Sequence, residues 1–222
     1  MTINEPAPRI VTVRQNILKA NDHTAAENRR MFEAAGVRAI NLASSPGAGK
    51  TALLERTLRD LAAAVRMAVA VGDLATDNDA ARLRQWGAQA EQIVTGTICH
   101  LDASMVQHVL PRFELPDLDV LFLENVGNLV CPSSYDLGEA ARAVLISTTE
   151  GEDKPLKYPT MFNTADVVVI TKMDIAEAVE FDLALCRENI DRARPGVPVI
   201  ELSSKKGTGL EAWYSFVRGE HP

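Results

Sequence analysis

The chain has 222 residues, 46% of them apolar and 24% charged, the balance of a soluble protein that buries a real core. Its formal net charge of −7 argues against a nucleic-acid binder, which needs a basic face to neutralise phosphates. No apolar run reaches the ~20 residues of a membrane span, and the first ten residues lack the apolar stretch of a secretion signal. Three cysteines are too few for a disulfide framework, so the chain reads as a cytoplasmic α/β protein, partnering neither nucleic acid nor membrane.

Residues 1–10, with Pro6 and Pro8, read as a flexible tail. Residues 11–36 form an N-terminal helical segment, in which Asn21-Asp22 interrupts the apolar spacing; this is the expected appendage to a domain over 37–222. A strand–loop–helix rhythm follows. Short Val-, Ile- and Leu-rich blocks at 39–43, 67–71, 92–94, 120–123, 143–146, 167–170 and 199–202 read as strands buried on both faces. Helical spacing occupies 51–65, 77–87, 102–109 and 176–193. Such alternation predicts a mainly parallel β-sheet with helices on both faces.

The first strand runs into Ser44-Ser45-Pro46-Gly47-Ala48-Gly49-Lys50-Thr51, a P-loop in which Ser44 replaces the first glycine. The turn from Pro46 through Gly47, Ala48 and Gly49 presents backbone N–H groups, with the helix N-terminus, to an anion. Lys50 is expected to reach the β- and γ-phosphates, and the Thr51 hydroxyl to ligate Mg²⁺.

The strand at 167–170 ends in Thr171-Lys172-Met173-Asp174, close to the N-K-x-D of GTPases. The Asp174 carboxylate would accept from guanine N1 and N2, a donor pair that adenine lacks, while the Lys172 stem covers the base. Thr171 stands where asparagine is usual, which is expected to weaken the contacts that tie this loop down. Ser203-Ser204-Lys205 follow the last strand and resemble the serine-containing loop of a guanine pocket. GTP/GDP is the expected nucleotide.

Glu124-Asn125-Val126-Gly127-Asn128 follows the fourth strand where other GTPases carry D-x-x-G. Glu124 would act on Mg²⁺ and the Gly127 N–H would meet the γ-phosphate. Asn128 stands where Ras-like proteins place a water-orienting glutamine, so hydrolysis should be slow. Asp73 and Asp79, after the second strand, are candidates for the Mg²⁺ shell, and Asp79 also for polarising the attacking water. The Asp77-Asn78-Asp79 cluster reads equally as a helix cap with first-turn acids.

Cys99 and His100 are expected to open a helix capped by Asp102, and Cys131 lies four residues after Gly127. A helix N-terminus favours the thiolate that a metal requires, and two thiols with an imidazole suit Zn²⁺, Ni²⁺ or Cu. Two buried cysteines and an unrelated surface histidine remain the alternative. Four residues span at most ~14 Å, so movement of Gly127 toward a γ-phosphate must drag Cys131 with it and couple metal affinity to nucleotide. Adjacent Cys99 and His100 could not share an ion if extended, so ligands contributed across a two-fold dimer are possible. His108 is a weaker fourth candidate, and Cys186, among Phe181, Leu185 and Ile190, reads as core.

The strings Gly96-Thr97-Ile98-Cys99-His100-Leu101-Asp102-Ala103, Glu124 to Pro132 and Thr149 to Pro159 resemble the HypB family, GTPases that help insert nickel into nickel–iron hydrogenase. The resemblance runs from about Val11 to Trp213. It implies a SIMIBI-class P-loop fold, GTP-promoted homodimerisation, and a nickel site from Cys99, His100 and Cys131 at the dimer interface. It also implies hand-over of Ni²⁺ to a nickel chaperone partner and the hydrogenase large-subunit precursor. Some members carry a cysteine cluster or histidine-rich stretch near the N-terminus, absent before Val11 here; a separate storage site is therefore not expected. The primary reading is a slow, Mg²⁺-dependent GTPase gating nickel delivery. The urease-type nickel-insertion GTPase is a sibling reading, against which stands the lack of a Cys-Pro-His string. A non-catalytic, nucleotide-bound metal scaffold is the other.

Overall fold

The computed structural model describes residues 9–74 and 78–220; the expected tail before Arg9, and Asp77, lie outside them. Helix α1 (Arg9–Ala35) precedes β1 (Arg38–Ser44), α2 (Lys50–Leu61), β2 (Met67–Asp73), α3 (Asn78–Arg84), β3 (Gln89–Val94) and α4 (Ala103–Val109). Then come β4 (Val120–Glu124), β5 (Ala141–Ser147), α5 (Lys154–Lys157), α6 (Pro159–Asn163), β6 (Val167–Thr171), α7 (Leu183–Ala193), β7 (Val199–Glu201) and α8 (Leu210–Arg218). The strands form one parallel sheet in the order β3-β2-β4-β1-β5-β6-β7.

Successive strand residues point to opposite faces, and both faces are apolar, which is why the strand blocks lack alternation. Ile40, Leu42, Val69, Phe122, Val167 and Val169 face α2, α3 and α8. On the other face Ala39, Ala70, Leu121 and Leu123 meet Phe32 of α1 and Val106 of α4. Farther along that face, Val144, Ile146, Val168 and Ile170 meet Phe162 of α6 and Ile190 of α7. No residue of β4 or β5 is exposed. The chain leaves β1 for β2 on one side and later fills the other side with β5, β6 and β7. Loops at the carboxyl ends beside β1 therefore open into the crevice where parallel sheets bind ligands.

Three helical expectations are corrected. Helix α1 is continuous through Asn21-Asp22. Asn21 is 8% exposed because its carboxamide docks the helix: Nδ2 donates to the Asp136 carbonyl at 2.8 Å and Oδ1 accepts from the Ala103 N–H at 2.9 Å. Asn28 Nδ2 adds bonds to the carbonyls of Ala103 and Leu137. A β-carbon on Gly138 would stand 2.6 Å from the Ala25 carbonyl oxygen, so the helix lies directly on that turn. The second correction concerns 176–193, which is helical only from Leu183. Glu180 adopts a left-handed φ of 54°, and the Asp182 side chain caps α7 by accepting from Leu185 N–H at 2.9 Å. Helix α4 likewise begins at Ala103, with Asp102 accepting from Met105 N–H; Cys99 and His100 precede it in a bend rather than forming its first turn.

Candidate functional site

The P-loop leaves β1 at Ser44 and turns through Gly47 and Gly49, whose φ values of 74° and 98° lie where a side chain is disfavoured. Lys50, the first residue of α2, is 8% exposed, and its ammonium donates to the Ser44 hydroxyl at 2.9 Å. Serine in place of the first glycine thus gives the lysine a resting partner. Burial pulls the Lys50 pKa down, opposed by Glu124, Asp79 and Glu150.

The Thr51 hydroxyl donates to Glu124 Oε1 at 2.7 Å. Burial pushes the Glu124 carboxyl up to about 7, against the pull of Lys50. Its Oε2 is buried with no hydrogen-bond partner. Lys50, Thr51, Asp73, Asp79, Glu124 and Gly127 all line one cleft of about 420 Å³ with Pro46, Gly47 and Gly49. Asp79 sits in the first turn of α3 and pairs with Arg82 at 3.3 Å; Asp73 Oδ1 accepts from Leu74 N–H. A hydroxyl and an unsatisfied carboxylate oxygen beside two further acids are the hard oxygen donors that Mg²⁺ takes, so these residues fit the ion. Gly127 closes on the P-loop: a β-carbon there would lie 2.8 Å from the Pro46 Cα.

The guanine-reading candidates also converge. Ser203 Oγ donates to Asp174 Oδ1 at 2.6 Å, and Met173 N–H reaches the Leu202 carbonyl at 3.2 Å. Ser204 and Lys205 continue that loop, Lys205 exposed. Lys172 holds a left-handed φ of 59°, its carbonyl accepting from Thr148 Oγ1. Thr171, expected to leave the loop less tied, makes a tie of its own: its hydroxyl donates to the Ala48 carbonyl of the P-loop at 2.6 Å.

The donor atoms of Cys99, His100 and Cys131 lie within 4.8 Å of one another, the two sulfurs 3.2 Å apart. The bend at Cys99-His100 lets adjacent residues face one point, and Cys131 opens a short turn (Cys131–Ser134). One chain therefore brings all three donors together. His100 Nδ1 is buried without a hydrogen-bond partner, and its ring packs on Tyr135 at 4.1 Å between centroids. Burial lowers the His100 pKa, opposed by Asp102, which favours the neutral imidazole a metal binds. His108 is exposed on α4 and outside the cluster; Cys186 is fully buried. Asn128 is not part of the cleft lining: its carboxamide donates to the Cys99 carbonyl at 3.3 Å and accepts from Val130 N–H at 2.8 Å. Neither that contact nor the Thr171 tie carried a signal beyond residue type.

Residues 38–201 match the CobW/HypB/UreG nucleotide-binding domain family. The hydrogenase maturation factor HypB of Rhizobium leguminosarum bv. viciae is 49% identical over 209 residues, covering 94% of this chain and 70% of that protein. The chain belongs to the HypB family. Its fold is shared with a crystal structure of HypB from Helicobacter pylori in complex with nickel, at TM-score 0.85 and 43% identity over 90% of this chain and 94% of that one. HypB from Archaeoglobus fulgidus gives the same TM-score at 41% identity, covering 90% and 98%. The P-loop, the Thr171–Asp174 loop and the thiol–imidazole cluster all lie within the matched residues 38–201. None of its described helices is long and apolar enough to cross a membrane.

Proposed function

We propose that this HypB-family chain is a slow, Mg²⁺-dependent GTPase whose nucleotide state gates the binding and release of Ni²⁺ during hydrogenase maturation. The observation that carries the reading is a shared segment. Glu124 lines the nucleotide cleft, Cys131 joins the metal cluster, and Gly127 between them rests on the P-loop.

In this reading Lys50 leaves Ser44 for the phosphates, and Thr51 with Glu124 holds Mg²⁺, helped by Asp73 or Asp79. The ion would neutralise the charge developing on the phosphates. The Gly127 N–H follows the γ-phosphate. Asp79 orients the attacking water, and Asp174 with Ser203, Ser204, Lys205 and Lys172 selects guanine. Cys99, His100 and Cys131 hold the cargo ion; the same donors accept Zn²⁺. Three ligands leave a position open, which suits an ion destined for transfer. A GTP-promoted homodimer, a nickel chaperone partner and the hydrogenase large-subunit precursor are the proposed company. A thiol-ligated site fits a reducing cytoplasm.

The test follows phosphate release and Ni²⁺ capture by a chelator from the loaded protein, with GTP or ATP. GTP-specific phosphate release that accompanies nickel release, both lost in Lys50→Ala, supports the reading. Nickel release indifferent to nucleotide, with no phosphate above background, would leave a metal-binding scaffold.

A further inference from the structure

We propose that Asn125 and Asn128 are the positioning residues that carry nucleotide state to the metal site, by gripping the backbone on both sides of His100. The proposal rests on the GTP-gated reading above and assigns it a route. Asn125 is 1% exposed; its Oδ1 accepts from the N–H of Leu101 at 3.0 Å and from its own neighbour Val126 at 3.0 Å. Asn128 donates to the Cys99 carbonyl at 3.3 Å and accepts from Val130 N–H at 2.8 Å. Each carboxamide therefore links the 124–130 turn to the metal loop, and Asn125 Nδ2 also donates to Asn41 Oδ1 of β1 at 3.5 Å. Between the two gripped residues, Cys99 and Leu101, stands only His100.

The Asn125 bonds are buried and the Asn128–Cys99 bond is half-buried, where an amide or carbonyl left without its partner is costly, so a turn that follows the γ-phosphate moves the bend with it. The far end of the bend is fixed. Ala103 is held through its N–H by Asn21 at 2.9 Å and through its carbonyl by Asn28 at 2.9 Å, both from α1. Displacement of the turn then bends 99–101 against an anchored 103 and changes where the His100 ring and Cys99 sulfur stand. The covalent link from Gly127 to Cys131 moves one ligand; the two asparagines move the other two.

The intact chain is titrated with Ni²⁺ in the presence of Mg²⁺ and either GDP or a non-hydrolysable GTP analogue, following the nickel–thiolate absorbance. In the wild type the two affinities should differ by roughly 5- to 150-fold, the usual span of coupling between sites. Asn128→Ala should bring the ratio to within about threefold of unity, with the GDP affinity of the wild type. Asn128→Asp keeps the acceptor for Val130 but not the donor to Cys99, and should lose the ratio equally. Asn125→Ala should do the same; if its buried cavity prevents folding, the two half-buried Asn128 variants decide. Asn128 variants that keep the wild-type ratio would overturn the proposal while leaving the gated function intact, with Cys131 as its sole link. Equal affinities in the wild type would overturn both.

Discussion

Gly127 meets Pro46 so closely that a β-carbon at position 127 would stand 2.8 Å from the Pro46 Cα and 2.9 Å from its nitrogen. Backbone lies against backbone there, and neither side can yield as a flexible side chain would. Gly127→Ala should displace either the P-loop or the turn after β4. Misplacement of reacting groups by about 1 Å costs on the order of 100-fold in rate. Single-turnover GTP hydrolysis should fall by that order, with GTP binding weakened more than GDP binding. Hydrolysis at the wild-type rate would show that the turn does not have to sit on Pro46 during reaction.

Thr171 supplies a second tie to the P-loop through its hydroxyl, at 2.6 Å from the Ala48 carbonyl, and is 2% exposed. Thr171→Val keeps the shape and removes the donor, leaving a buried carbonyl unpaired at about 1–3 kcal/mol. Calorimetry should show GDP affinity reduced by roughly tenfold, since about 1.4 kcal/mol corresponds to one decade. Unchanged affinity would mean the tie serves folding alone.

Glu124 makes the nucleotide-free chain sensitive to pH. Its carboxyl titrates at about 7 when folded, above the ordinary 4.5, because it is buried. Below the ordinary value it is neutral folded and unfolded, and burial of the neutral acid is fully tolerated. As pH rises toward 7 the unfolded chain releases this proton while the folded chain keeps it, so stability falls; above 7 the whole cost is present. Glu124→Gln should therefore gain about 1–3 kcal/mol over wild type at pH 8 without Mg²⁺ or nucleotide, and almost nothing near pH 4.5. Chemical denaturation at the two pH values checks this. A pH-independent difference would place the Glu124 titration elsewhere.

The cysteines divide by environment. Cys99 and Cys131 are half-buried beside His100, whereas burial pushes the Cys186 thiol up to about 12, so it carries no thiolate at neutral pH. His100→Ala should weaken Ni²⁺ binding at least tenfold by the loss of a ligand. Cys186→Ser should leave nickel stoichiometry and affinity as they are. A loss of nickel in the Cys186 variant would contradict the assignment of the site.

Much of this was legible from residue order because the informative signals are local. Blocks such as Val-Val-Val-Ile at 167–170 become strands since both faces are covered, and Gly49-Lys50-Thr51 needs only its strand and helix. What was hidden depends on distant partners. Asn21 looked like a break in α1 because its compensating bonds reach Ala103 and Asp136, far along the chain. The helix expected from 176 starts late because Glu180 takes a left-handed conformation that its residue type does not announce. Cys99 and His100 are adjacent in sequence, but the bend that aims both at Cys131 is held by Asn125 and Asn128 from the turn after β4.

The most direct test of the gated switch is the Ni²⁺ affinity of the wild-type protein with GDP and with a non-hydrolysable GTP analogue, beside Cys131→Ala. The account predicts a difference of about fivefold or more in the wild type that vanishes in the variant. Equal affinities in both nucleotide states of the wild type would contradict it.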